Sequence, residues 1–468
     1  MQPSIHIYDA QYLGTPAHGQ LVTFDSLVCS GAEVSRYSTQ ISLRPDVSFN
    51  PQAVEQLDCF DLDLGGGITE YQWSRKAQSL FERPGTLHIG LGNTSVIDHF
   101  IRFALYRCLS TLPNTELPAG AHYLDLLTVC LAVSILRPES MPFTFPTAWP
   151  LQRKREYALR QIEGESRAEG VLGLASALSA ANPKLMAHAI AHSSPGDIAK
   201  LFGLVDGQVE SLGSLKPVFV CHDQLMAAGS YGVFLALGTD PQYKNFVYMI
   251  DLQCDLSELI EDGGESVSRF IRTDASQLDR PVVRVNLNRV PFVSPMGVVD
   301  KATASRLRID PTTIKMRAAQ LQSLPDLCLA LLEVSGASEA SLNADPDYQL
   351  YGAEYLPPDI ALLQRLHSTE QKDWAPMITA AHDARITALG MRLIRRCEPA
   401  LLSDSDKKLW RAHCASRLLG RADASQIAAV QEYCMRIAGA PVYPQGMRAA
   451  ALHWLDTIEN GNEPSINV

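Results

Sequence analysis

No stretch of this sequence holds about 18 consecutive apolar residues, so none of it is suited to crossing a bilayer as a helix. Cys-x-x-Cys pairs are missing too: the ten cysteines stand singly between Cys29 and Cys434. Zinc knuckles and disulfide frameworks need clustered thiols, so the expectation is reduced core thiols in a cytoplasmic protein. Met1 to Asp9 offers neither a basic n-region nor an apolar h-region, so no signal peptide is expected. Basic excess is also lacking. Against 51 Asp and Glu stand only 40 Lys and Arg, a formal net charge of -11. That disfavours nonspecific attachment to a phosphate backbone while leaving room for a local basic groove. Internal repeats and low-complexity tracts are absent, and Gly65-Gly66-Gly67, with no Lys-Ser/Thr behind it, reads as a turn.

What is present is a 468-residue chain, 46% hydrophobic and 19% charged, enough for sizeable cores in two to four domains. Its first part reads as mixed α/β. Strands are expected at Ile5–Tyr8, Leu21–Cys29, Tyr37–Leu43 and Leu87–Gly90, and helices at Trp73–Arg83, Asp98–Leu109 and Leu124–Leu136. From about Ser211 the texture turns to short β-runs, at Val218–Cys221, Gly232–Leu237, Phe246–Leu252 and Val282–Leu287, as in a small barrel. Ser335–Asp347 is the linker candidate. Helices follow at Ile360–His367, Trp374–Arg396, Asp404–Leu419, Ala424–Ile437 and Met447–Ile458, with a frayed tail over Asn460–Val468.

Several motifs, in order, carry a resemblance. Asp9-Ala10-Gln11-Tyr12-Leu13-Gly14-Thr15 resembles an Asp-x-Glu-Thr-x-Gly-Thr opening, and Gly90-Leu91-Gly92-Asn93 a Gly-Tyr-Asn-Asn turn. Asp125-Leu126-Leu127, Leu136-Arg137-Pro138-Glu139 and Asn182-Pro183-Lys184-Leu185 resemble three later helix motifs. Lys216-Pro217, Val247–Leu252, Asn286–Pro291 and Asp347-Tyr348-Gln349-Leu350-Tyr351 complete the series. Together they are similar to bacterial exonuclease I. The resemblance implies a ribonuclease H-like DEDD domain over 1–205, a small β-barrel domain with helical insertions over 206–340 and a helical domain over 345–468. It also implies 3′-to-5′ attack on single-stranded DNA with two magnesium ions.

Such chemistry needs converging carboxylates to balance two hard dications about 4 Å apart. Here the expected catalytic set is degenerate. Asp9 keeps the first carboxylate and is the one candidate metal ligand. Gln11 replaces the glutamate with an uncharged amide. Ile97 takes the third position, with Asp98 turned about 100° away along a helix start. Glu169 stands in for the last aspartate, in a stretch from Glu163 without a histidine. A competing register uses His192 and Asp197, which otherwise read as a loop with Asp197 as a helix N-cap.

Arg102, Arg137 and Lys216 match the resemblance's DNA-facing cations. Arg392, Arg395 and Arg396 form a basic cluster suited to an acidic peptide, such as the tail of single-strand DNA-binding protein. The expectation is therefore a non-catalytic relative that binds another protein or single-stranded DNA, without a cofactor. The alternative is a residual exonuclease using Mg2+ or Mn2+ at Asp9, Asp98 and Glu169.

Overall fold

The computed structural model describes residues 4–47, 66–111, 118, 120–162, 164–205, 208–209, 215–263, 267–273, 277–335, 345–420, 424–443 and 445–461. The chain divides into two compact units. One comprises Met1–Thr86, Val96–Ala121 and Ser341–Val468, the other Leu87–Ser95 and His122–Ala340.

Strands β1 (Ser4–Leu13), β2 (Gln20–Ser30) and β3 (Glu33–Gln40) form an antiparallel meander in the first unit. β1 is longer than its apolar run suggests, because cross-strand pairing continues through Asp9 and Gln11 as far as Leu13. Helix α1 (Glu70–Phe81) starts at Thr69, whose hydroxyl caps the Gln72 amide while the Gln72 side chain returns to the Thr69 amide. α1 buries Trp73 and Phe81 against Phe24 and Tyr8. Strand β4 (Thr86–Gly90) and helix α2 (Asp98–Arg107) follow. In the second unit β4 pairs in parallel with β5 (His122–Asp125). The expected helix Leu124–Leu136 is corrected here. Leu124 and Asp125 finish β5, and the Asp125 side chain caps the Leu127 amide to start α3 (Leu126–Leu136). Helices α4 (Leu151–Arg160), α5 (Arg167–Ala181), α6 (Pro183–Ala191) and α7 (Pro195–Leu201) complete this part.

A five-stranded antiparallel sheet comes next in the second unit. It comprises β6 (Val218–Cys221), β7 (Tyr231–Thr239), β8 (Phe246–Asp251), β9 (Val282–Asn286) and β10 (Phe292–Pro295), in the order β9-β8-β7-β6-β10. Phe234, Val247, Met249, Val285 and Val293 fill its core. α8 (Ser257–Asp262) lies between β8 and β9, and α9 (Lys301–Arg306), α10 (Pro311–Gln322) and α11 (Pro325–Ser335) follow β10. Residues 336–344 of the linker candidate lie outside the described residues. Its two ends are α11 and a short 3-10 helix over Pro346–Tyr351.

The first unit resumes with α12 (Pro357–Leu366), α13 (Trp374–Thr379), α14 (Ala384–Cys397), α15 (Asp404–Leu419), α16 (Ala424–Gly439) and α17 (Gln445–Gly461). The single helix expected over Trp374–Arg396 is two. The wholly buried Asp359 carboxylate accepts the His382 and Asp383 amides at 2.9 and 3.1 Å, and Asp383 then caps α14. The helices meet at Gly390, where a Cβ would lie 2.6 Å from Ile378. Among the described residues no helix is long and apolar enough to cross a membrane.

A buried ion network runs through the first unit. Arg396 forks onto Asp46 at 2.5 to 3.2 Å, and Arg107 and Arg44 hold Glu70 at 2.8 and 3.2 Å. Arg392 reaches Asp345 and Asp347 at 2.8 and 2.9 Å, and Arg417 bonds the same pair. Arg44 and Arg107 also donate to the carbonyls of Pro16 through Gly19, fixing the loop between β1 and β2. Burial alone would raise the Asp46 carboxyl, but Arg396 and Arg44 hold it well below the ordinary range, as Arg107 and Arg44 hold Glu70.

A folded carboxyl with a depressed pKa binds protons less readily than the unfolded one. Its stabilisation is therefore complete above the unfolded value of about 4 and is lost as pH falls through the folded value. Urea midpoints should receive no contribution from Asp46 and Glu70 to any change between pH 5 and 7, and should drop steeply below about pH 4. Arg396→Met, which strands a buried Asp46, should cost about 3–5 kcal/mol at pH 7 in the same titration and less as Asp46 protonates.

Candidate functional site

Strand geometry divides β1 into two rows. His6, Tyr8 and Ala10 project to one face, and Ile7, Asp9 and Gln11 to the other. Tyr8 stacks on His6 and meets Phe81 edge-on at 5.2 Å, so the first row faces α1. On the second row Asp9 lies directly opposite Asp25, and Gln11 opposite Thr23. Paired residues of an antiparallel ladder share a face. Asp9 is fully buried, and Asp25 accepts a hydrogen bond from the Ser38 hydroxyl of β3. Thr23 donates its hydroxyl to the Gln11 side-chain oxygen at 3.0 Å and accepts the Gln11 amide at 3.2 Å. The one Gln11 atom able to face a cation is thus already an acceptor.

At the third position a π-helical turn over Asn93–Ile97 delivers a wholly buried Ile97. Asp98 opens α2, and its carboxylate accepts the Tyr8 hydroxyl. Asp98 is thus engaged by a residue whose side chain leaves β1 on the face opposite to that of Asp9. Arg102 follows one turn later on α2 and is half-buried. His99 binds the Tyr351 hydroxyl through Nδ1 at 3.0 Å. Tyr348 and Tyr351 nevertheless remain 42% and 52% exposed.

The second unit places the other candidates in local roles. The Glu169 carboxylate accepts the Glu165 amide at 3.0 Å at the start of α5. Asp197 is not the N-cap expected. Ser194 caps α7, and Asp197 accepts the Ser194 hydroxyl at 2.6 Å and Lys200 at 2.9 Å. The Ser194 hydrogen bond, then Lys200, holds the Asp197 carboxyl below its ordinary value. The His192 Nδ1 donates to the His188 carbonyl at 2.9 Å. Arg137, expected to meet DNA, donates to the Val298 carbonyl and Thr303 hydroxyl and pairs with Asp300 at 3.3 Å. Lys216 is exposed just before β6.

The basic cluster on α14 is also corrected. Arg392 and Arg396 serve the internal ion network and Arg395 lies 3.9 Å from Asp406, so the cluster is not a solvated docking patch. Charge matching to carboxylates that are distant in sequence, Asp46 and Asp345–Asp347, was not visible in the helix pattern. His18, Asp345 and Asp347 also come within 4.8 Å of one another. Arg392 and Arg417 already pair with both carboxylates, and although Asp347 Oδ1 has no hydrogen-bond partner, two adjacent guanidiniums disfavour a cation there.

Two quoted motifs do come together. Asp125 accepts the Gly92 amide at 2.7 Å and the Thr94 hydroxyl at 2.7 Å, tying the turn after β4 to the start of α3. Burial pushes the Asp125 carboxyl up. Gly92, at φ +66°, leaves space for Arg155, whose Nε donates to the Leu91 carbonyl at 2.6 Å. The same helix buries Lys154 completely, without a hydrogen-bond partner for its Nζ, and burial lowers its pKa. Sequence reading missed Lys154, Arg155 and Asp25. Two cations near the start of α4 gave no sign of burial, and Asp25 is marked only by its register with Asp9.

Comparison with known proteins places the chain. Residues 212–334 match the exonuclease I SH3-like domain, and residues 344–458 match the exonuclease I C-terminal domain. This chain belongs to the exonuclease I family. Exodeoxyribonuclease I of Escherichia coli K12 is 23% identical over 393 residues, covering 78% of this chain and 79% of its own. That of Buchnera aphidicola from Schizaphis graminum is 23% identical over 365 residues, covering 75% and 73%. The zinc-bound E. coli exonuclease I–single-stranded DNA complex superposes with a TM-score of 0.81 at 20% identity, covering 98% of this chain and 100% of that one. A moderately thermophilic exonuclease I from Methylocaldum szegediense gives 0.77 at 20% identity, over 98% and 100%. The fold is accordingly the mixed α/β, ribonuclease H-like arrangement followed by an SH3-like barrel and a helical domain.

The metal pair implied by an exonuclease I resemblance does not fit the described residues of the first unit. Among the described residues of that unit, the Asp9 row of β1 and its cross-strand partners offer two carboxylates, Asp9 and Asp25, beside an engaged amide, and Ile97 is apolar and buried. Two hard dications need more anionic oxygen than that. The Tyr8–Asp98 bond can be tested directly. Tyr8→Phe leaves a buried carboxylate short of a donor, and should destabilise the chain by about 1–3 kcal/mol in urea unfolding. Tyr8→Phe/Asp98→Asn should recover part of that loss.

Proposed function

We propose that this exonuclease I relative has lost two-metal hydrolysis and acts as a binding subunit in DNA metabolism, with single-stranded DNA as its ligand and a protein partner beside it. One observation carries the reading: the Asp98 carboxylate is engaged by the Tyr8 hydroxyl, while Gln11 and Ile97 stand where the resemblance expects carboxylates. The DNA half rests on relatives crystallised with single-stranded DNA and on exposed tyrosines. Tyr348 and Tyr351 present open rings beside His18 and His99, and base–aromatic stacking tolerates any sequence. Lys216 supplies an exposed cation. Arg137 is engaged internally. Few fixed cations on an acidic chain imply weak binding with a shallow salt dependence. The acidic-peptide site first placed on Arg392, Arg395 and Arg396 has no support in the internal pairings of Arg392 and Arg396, and Arg395 alone, beside Asp406, does not make one.

Asp25 favours the alternative of a residual metal-dependent exonuclease, since it sets a second carboxylate beside Asp9. Purified protein incubated with 3′-ended single strands and magnesium or manganese should release no more nucleotide than its Asp9→Ala variant. Steady release abolished by both Asp9→Ala and Asp25→Asn would establish the residual nuclease instead. Fluorescence anisotropy at low salt should show oligonucleotide binding that is unchanged by Asp9→Asn. Tyr351→Ala should weaken it by about 1–3 kcal/mol, the usual value of one stacked base. Equal affinity in Tyr351→Ala would remove the stacking surface from the account.

A further inference from the structure

A cavity of about 70 Å³ lies within the first unit, away from Asp9, among the Ser42–Pro45 segment, the start of α1 and α14. A single water needs roughly 10–15 Å³ by this measure, so the space admits a cluster of waters or one tetrahedral ion. Its walls include Ser42, Arg44, Thr69, Tyr71, Arg396 and Cys397. The two arginine side chains are only 5% and 6% exposed. Although Arg396 is forked onto Asp46, its Nη1 has no hydrogen-bond partner, and neither has the Nε of Arg44. Buried guanidinium donors left unpaired are costly, and an acceptor in the cavity would relieve them.

Two further observations give the missing acceptor a charge. The cavity opens at the N-terminus of the 12-residue helix α1, whose dipole favours an anion there. Among the described residues the ion network around it carries five guanidiniums (Arg44, Arg107, Arg392, Arg396 and Arg417) against four carboxylates. Burial, then the proximity of Arg107, lowers Arg44 to about 10 against the opposing effect of Glu70 and Asp46, while, despite burial, Asp46 and Asp347 hold Arg396 above its ordinary value. Glu70 also lines the cavity, but Arg107 and Arg44 already hold its charge. The Cys397 thiol, pushed up to about 12 by burial, is neutral and repels nothing.

We propose that this cavity is a binding site for a small tetrahedral oxyanion of the phosphate class, either free phosphate or the phosphate of a mononucleotide, held by Arg44, Arg396 and the start of α1. The site is independent of the Asp9 face, so it stands whether or not the chain retains nuclease activity.

The test uses the full-length chain, with sodium phosphate titrated against sodium chloride at matched ionic strength. Thermal midpoint and 31P line width are the readouts. Phosphate should raise the midpoint by about 2–5 °C at a hundredfold excess over Kd, while chloride does not. Thr69→Asp keeps a good N-cap and sets a carboxylate at the cavity mouth. It should raise the half-saturating phosphate concentration at least tenfold while its own midpoint stays close to that of the parent. Arg396→Met should also abolish the response, but it breaks the Asp46 pair, so Thr69→Asp decides. Deoxyadenosine 5′-monophosphate and deoxyadenosine form the second arm. A response to the nucleotide or to free phosphate, absent with the nucleoside and lost in Thr69→Asp, supports the site and names its source. No phosphate-specific effect in the parent chain, or an equal effect in Thr69→Asp, overturns it.

Discussion

A β-strand sends neighbouring side chains to opposite faces, and in β1 that rule decides which acids can meet. Tyr8 and Asp9 are adjacent in sequence yet serve different layers of the first unit. Tyr8 reaches α1 and α2 and binds the carboxylate of Asp98; Asp9 looks the other way, to Asp25 across the ladder. Ile97 is buried at the head of α2, and among the described residues of the first unit Asp98 is bound to Tyr8 while Asp25 is the carboxylate paired across from Asp9. A pair of hard cations needs convergence, because each bridging carboxylate must be shared.

The second organising feature is the ion network of the first unit. It ties the loop before β2, the Asp46 turn, the start of α1 and the helices α14 and α15 into one buried electrostatic unit. Buried pairs of this kind are costly to desolvate and costlier to break singly, so they act more as a register device than as a source of net stability. They also explain why arginines that look like a surface patch on a helix are unavailable to a partner. Among the described residues, the Nη1 of Arg396 and the Nε of Arg44 lack a hydrogen-bond partner on the side of the cavity.

Much of the fold was legible in residues. Apolar runs located β2 and four of the five barrel strands to within a residue or two but missed β10, and the periodicity of Asp404–Leu419 matched α15. Errors arose where a tertiary partner overrode a local pattern. Asp125 ended a strand and capped a helix inside one apolar run, because the amides of Gly92 and Leu127 both needed its carboxylate. A continuous helix through Ala380 was broken by the buried Asp359, whose acceptors lie some twenty residues earlier in the chain.

By itself the sequence determined the family, the order of strands and helices, and the substitutions Gln11 and Ile97, since residue identity and local periodicity are properties of the chain alone. Only the tertiary structure decided which way Asp98 faces, that Asp25 stands beside Asp9, and that Arg392 and Arg396 are interior cations. Those outcomes depend on strand register and on pairings between residues up to 350 positions apart, and a linear pattern carries no record of either.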